Sequence, residues 1–105
     1  MEIFLDGSVA HLQGDLNLSG ITYKSIDSLA ETLRRIESGS SKKIRIDCGR
    51  VRTADITGLQ LLDVWLQCAR FRGVEPELVN LPDSLRQTMQ KMGYRYCFTG
   101  ISAHP

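Results

Sequence analysis

The sequence predicts an α/β domain built on a mixed sheet, and three observations carry that expectation. A short hairpin pattern opens the chain. Segments with helical and strand periodicity then alternate from residue 20 onward, and no repeat, low-complexity run or internal linker divides them. The expected order is β-β-α-β-α-β-α, in one domain over residues 1–105.

Ile3-Phe4-Leu5 is a short apolar run, Asp6-Gly7 a turn pair, and Val9-Ala10-His11-Leu12-Gln13 alternates until Gly14, which together predict a β-hairpin. After the polar turn residues Asp15, Asn17 and Gly20, apolar Ile26, Leu29, Leu33 and Ile36 recur at helical spacing, with Gly39 as the expected stop. The first helix should run about 11–14 residues. Lys43-Ile44-Arg45-Ile46-Asp47 reads as a strand with Ile44 and Ile46 on one face, and a short polar linker follows. A second helix is expected from near Thr57, with Leu61, Leu62, Trp65, Leu66 and Ala69 as its core stripe and Asp63, Gln67 and Arg70 opposite.

Gly73 ends that helix, and Glu77-Leu78-Val79-Asn80 reads as the next strand. Pro82 opens a third helix with Leu85, Met89 and Met92 facing inward and Gly93 as its stop, and residues 94–101 form a weak strand or a docked tail. Later strands should join the sheet by right-handed crossovers, with the helices mainly on one face. The expected core holds Leu12, Leu29, Leu33, Ile44, Ile46, Leu61, Leu62, Trp65, Leu66, Leu78, Leu85 and Met89.

At 105 residues the chain buries enough surface to fold without disulfides or metal. Thirteen Lys and Arg against twelve Asp and Glu leave a formal charge of +1, which removes the electrostatic argument for a nucleic acid or an anionic membrane surface. Cys48, Cys68 and Cys97 are odd in number, widely spaced and set in apolar segments, so they read as reduced core residues of a cytoplasmic protein. The first residues carry no basic run of a signal peptide, and no segment approaches the length of a membrane span.

The segment that points to function joins the strand ending at Asp47 to Asp55-Ile56-Thr57-Gly58-Leu59, the mouth of the second helix. A helix N-terminus exposes unpaired N–H groups and the positive end of the dipole, so such a loop can hold a phosphate or present a hydroxyl that accepts one. Together with Leu12-Gln13-Gly14-Asp15-Leu16 after the hairpin, Gly73 before Glu77-Leu78-Val79-Asn80, and Met92-Gly93, this loop resembles the STAS domain family, whose founding members are bacterial anti-sigma factor antagonists. The resemblance covers nearly the whole chain.

The resemblance implies a non-enzymatic module that docks a kinase-like anti-sigma factor, a serine kinase-like ATPase, and so regulates transcription. Family members usually carry Asp-Ser-Ser/Thr-Gly-Leu at the loop, with the Ser after the Asp phosphorylated by that partner. Here that position is Ile56, which has no hydroxyl, so the chain resembles the unphosphorylated, binding-competent state. Thr57 is the alternative acceptor, but its expected role is to cap the helix starting at Gly58, worth about 1 kcal/mol. Stand-alone STAS domains also serve as subunits of phospholipid-transport ABC systems or beside chemotaxis-type signalling proteins.

Helical spacing places Gln60, Val64, Gln67 and Phe71 beside the core stripe. With Asp55, Ile56, Thr57 and Gly58 they form the expected partner-binding surface, rimmed by Arg50 and Arg52. A nucleotide sensor is the competing class, with Arg50 and Arg52 near the helix N-terminus, although the loop lacks the glycines of a phosphate cradle. Asp47 and Asp55 could pair as a Mg²⁺ or acid/base site but lack a third ligand, and are expected instead to bond loop N–H groups and order the helix entrance. His11 and His104 do not read as a catalytic pair, so neither an enzyme nor a cofactor or metal is expected.

Overall fold

The computed structural model describes residues 1–39 and 42–92. Among these residues seven elements follow in order: β1 (Glu2–Asp6), β2 (Val9–Leu16), α1 (Tyr23–Ser38), β3 (Lys43–Ala54), α2 (Ile56–Phe71), β4 (Glu75–Val79) and α3 (Asp83–Met92). The strands form one four-stranded sheet in the order β1-β2-β3-β4, antiparallel between β1 and β2 and parallel thereafter. This is the mixed α/β arrangement expected from the sequence.

The hairpin closes where Asp6 pairs with Val9 across Gly7 and Ser8. Gly7 sits at φ +62° as the first central residue of a two-residue turn, a position that Gly adopts without steric penalty. Burial then alternates along the strands. Ile3, Ala10, Leu12, Ile44, Ile46 and Leu78 are buried on one face, while Phe4, Arg45 and Glu77 on the other are exposed or half-buried. A period of two with one wet face is the signature of a sheet covered by helices on one side.

Both middle strands run longer than their sequence pattern indicates. β2 passes through Gly14 at φ +94° and ends with Leu16 fully buried, and β3 continues to Ala54 across the stretch read as a polar linker. The register shifts between His11 and Gln13 and again between Gly14 and Asp15, each time with an extra residue on β3. These bulges reset the alternation, so Cys48 and Val51, three positions apart, both reach the core. A simple period-two reading loses the strand there.

In α1 the buried stripe is Ser25, Leu29, Thr32, Leu33 and Ile36, and Ile26 is 47% exposed, outside the expected core. Thr22 caps the helix in a reciprocal pair with Ser25, whose hydroxyl also donates to the Met1 carbonyl at 2.6 Å. Ser25 therefore holds on the buried face the place that apolar spacing alone assigns to Ile26. In α2 the core side is Leu59, Leu62, Trp65, Leu66 and Ala69, with Leu61 only partly buried. The Trp65 indole N–H donates to the Leu29 carbonyl at 2.8 Å and ties α2 to α1.

Asp63, expected on the polar face, is buried at 8% exposure on the flank of α2. Its Oδ2 accepts from Gln67 Nε2 at 2.9 Å, while Oδ1 has no partner among the described residues. Leu85 and Met89 of α3 face the core as expected. The Met92 side chain, the Gly93 stop and the 94–101 segment lie outside the described residues.

Candidate functional site

The mouth of α2 is assembled by the C-terminal ends of β2 and β3, which deliver two loops side by side. Asp55 is the N-cap residue: its Oδ1 accepts from the Gly58 N–H at 2.8 Å and its Oδ2 from the Leu18 N–H at 3.2 Å. Its own N–H donates to the Leu16 carbonyl at 3.1 Å. One carboxylate thus satisfies a free donor of the helix and ties the loop after β2 to it. Asp55, not Thr57, is the cap. The helix starts at Ile56, so Thr57 lies inside the first turn, where its hydroxyl cannot take the cap position.

Gly58 explains the glycine of the motif. A Cβ there would overlap the Leu16 backbone carbonyl and lie 2.9 Å from Leu16 Cγ, because the first turn of α2 rests directly on the end of β2. The neighbouring loop is held by side chains. Asp15 accepts from Thr53 Oγ1 at 3.1 Å and from Arg52 at 3.2 Å, and Asn17 donates to Thr53 Oγ1 at 2.9 Å while accepting from the Gly20 N–H at 2.8 Å. Helix mouth and loop form one polar-stapled platform.

That platform carries a line of exposed apolar groups among polar ones. Ile56 is 56% exposed, Val64 56% and Phe71 92%, and Gln60 and Gln67 lie between them. Successive steps of three or four residues keep all five on one line of the helix, about 22 Å long from Ile56 to Phe71. Thr57 is exposed beside Ile56. Leu18, 72% exposed, joins the mouth through its N–H bond to Asp55. It was legible only as an apolar residue in a polar turn, and its place depends on the long-range contact with Asp55.

The other candidates fall in two places. Arg52 bonds Asp15 at the edge of the platform, and both line a groove together with Arg50, Met1, Glu2 and Gln13. Asp47 and Asp55 do not share a site: Asp47 accepts from the Gly49 N–H at 2.8 Å and from Asn80 at 3.2 Å, and stands 3.9 Å from His11 Nδ1. His11 itself stacks on Phe4, ring centroids 5.1 Å apart, on the open face of the sheet. No group of three or more His, Cys, Asp or Glu among the described residues could hold a metal ion.

Cys48 is fully buried, and that burial, with the Asp47 charge adding to it, pushes its thiol up to about 12. Cys68, expected in the core, is exposed on α2. The helix turns it past the buried stripe toward the flank of Val64 and Phe71. Cys97 and His104 lie outside the described residues.

Residues 6–95 match the family described as Mlab, STAS domain. The chain belongs to the STAS family. Among curated proteins none matches it significantly. A STAS domain is a regulatory or binding module, and in this one the motif loop Asp55-Ile56-Thr57-Gly58-Leu59 forms a capped helix mouth with an apolar residue at the position next to the cap. No helix among the described residues is long and apolar enough to cross a membrane.

Proposed function

We propose that this STAS domain is a non-enzymatic protein-docking module that holds its partner through the mouth and outward line of α2. Asp55 and Gly58 build the mouth, while Ile56, Thr57, Gln60, Val64 and Phe71 make the contact. The observation that carries the reading is the exposure of Ile56, Val64 and Phe71 along one helix line, apolar side chains left in water next to a rigidly stapled loop. The proposed partner is a kinase-like anti-sigma factor in the cytoplasm, and capture of that factor releases a sigma factor for transcription.

Ile56 gives the module a constant contact. A phosphate at this position would add about −1.5 to −2 charge to the centre of the surface, and Ile cannot receive one. Thr57 remains as an exposed hydroxyl one position further into the helix. Nucleotide sensing has less support, because the Asp55 carboxylate already bonds the Gly58 N–H and would repel a second anion there.

A second reading, as the STAS subunit of a phospholipid-transport ABC system, draws on the Mlab designation of the matching family. A place in a chemotaxis-type signalling complex uses the same surface without a separate observation in its favour. The test is a pull-down from native cytosol with wild type and Ile56→Asp in parallel. Recovery of a histidine-kinase-like ATPase by wild type alone supports the first reading, and a transporter ATPase supports the second. Equal recovery of the same partner by both proteins overturns the docking surface.

A further inference from the structure

We propose that the outer edge of β1 and the adjoining flank of α1 form a second docking site, which adds an extended segment of a partner protein to the sheet as a fifth strand. β1 is an edge strand, and among the described residues no strand pairs with its outer side. Because Asp6 and Val9 close a two-residue turn, they form a hydrogen-bonded pair, and so do Phe4 with His11 and Glu2 with Gln13. Ile3 and Leu5 alternate with these and turn their N–H and C=O groups outward. Two residues of backbone donors and acceptors are therefore set for a further strand.

The edge is accompanied by a groove. A hollow of about 390 Å³ runs between residues 3–5 of β1 on one side and Asp27, Ser28, Glu31, Thr32 and Arg35 of α1 on the other. The helix residues follow steps of one and four, so a single face of α1 lines the hollow along its length. An edge strand with a helix-walled groove supports strand addition, in which main-chain bonds hold the segment and alternate side chains enter the groove.

Charge selects the occupant. Glu2 and Asp6 are exposed at the two ends of β1 and Asp27 at the groove, and none of them makes an ion pair among the described residues. Arg35, which also lines the groove, is bridged to Glu31, as is Arg34, so these charges offset one another and Asp27 is left unpaired there among the described residues. A second copy pairing antiparallel about Phe4 would set Glu2 directly opposite Asp6 of its mate twice over, a like-charge arrangement that destabilises a sheet. A segment with Lys or Arg at its two ends and β-branched apolar residues between them meets Glu2, Phe4 and Asp6 with complementary groups on the open face. Its intervening side chains fill the groove beside Ile3 and Leu5.

This site is independent of the α2 surface, since β1 is the outer strand and α2 packs over β2 and β4. The test uses a fluorescein-labelled peptide with a Lys-Val-Val-Val-Lys core, read by anisotropy and by amide NMR. Saturable binding is expected, with new protection of the Ile3 and Leu5 amides and no change at Phe4, already bonded to β2. Inverting the peptide ends to Glu, or the protein as Glu2→Lys with Asp6→Lys, should weaken binding by at least about tenfold. N-methylation of the peptide backbone should abolish it, and Ile56→Asp should leave it unchanged.

Binding that tolerates N-methylation or charge inversion overturns the proposal, as does no binding at millimolar peptide. Protection of the Ile3 and Leu5 amides in the free protein overturns it too, because the edge would already be held by a second copy or by the chain itself.

Discussion

Replacing Gly58 by Ala probes the joint on which the α2 mouth rests. In an exposed helix Ala gains up to about 1 kcal/mol over Gly. At Gly58 the added Cβ overlaps the Leu16 carbonyl, where ordinary heavy-atom contact is about 3.5 Å or more, and the obstacle is backbone inside a sheet. Relief requires the first turn of α2 to back away. That movement stretches the Asp55–Gly58 cap, worth about 1 kcal/mol, and lifts part of Leu59, which is fully buried and contributes about 1.5–3 kcal/mol.

Overpacking against a fixed neighbour costs about 1–3 kcal/mol by itself. The net expectation for Gly58→Ala is a loss of about 2–3 kcal/mol, a large share of the stability of a domain this size. Urea unfolding followed by Trp65 fluorescence suits the measurement, since the indole is buried and bonded to Leu29. With a slope near 1.5 kcal/mol per molar urea, the midpoint should fall by about 1.3–2 M. Gly39→Ala is the control: its Cβ would stand 3.4 Å from the Ile36 carbonyl at an ordinary backbone geometry, and a change within about 0.5 kcal/mol is expected. If Gly58→Ala unfolds at the wild-type midpoint, the close approach of α2 to β2 is wrong, and the stapled mouth with it.

Asp55→Ala should lose about 1–2 kcal/mol by freeing the Gly58 and Leu18 donors, whereas Thr57→Ala should stay within about 0.5 kcal/mol; parallel urea curves decide, and the reverse order would restore Thr57 as the cap. Ile56→Asp should leave stability unchanged or slightly raised, because a carboxylate in the first turn suits the dipole, while partner capture is lost; thermal melts beside the pull-down separate the two effects. In the native state a thiol reagent at pH 8 should label Cys68 and spare Cys48, checked by peptide mass mapping. The Cys48 thiol is raised from 9.0 to about 12, so between those values the unfolded chain releases a proton that the folded chain keeps. Stability should therefore fall as pH rises through that window, and Cys48→Ala should flatten the slope.

Where a residue's role follows from local spacing, the sequence was readable. The hairpin, the order of elements and the stripe Leu62, Trp65, Leu66 and Ala69 follow from periods of two and of 3.6, and the exposed line through Val64 and Phe71 follows from the same geometry. Local pattern misleads where a long-range contact overrides it. Ser25 displaced Ile26 from the buried face because its hydroxyl serves both Thr22 and Met1, and β3 ran through a stretch read as linker because β2 pairs with it across two bulges. Local pattern places the cap at Thr57, two residues beyond Asp55; the start is fixed by the backbone of Asp55, held extended by its bond to Leu16.

By itself the sequence determined the fold class and the order of the elements, which are properties of residue type and spacing, and its motifs carried the resemblance to the STAS family. Tertiary structure alone decided that Asp55 joins two loops, that Leu18 stands at the mouth, that Gly58 has no room for a side chain and that the edge of β1 adjoins a groove walled by α1. Each of these depends on segments far apart in the chain meeting within a few ångströms. No local period encodes such a meeting, because the register of β2 against β3 and the docking of α1 and α2 on the sheet are set only when the whole core packs.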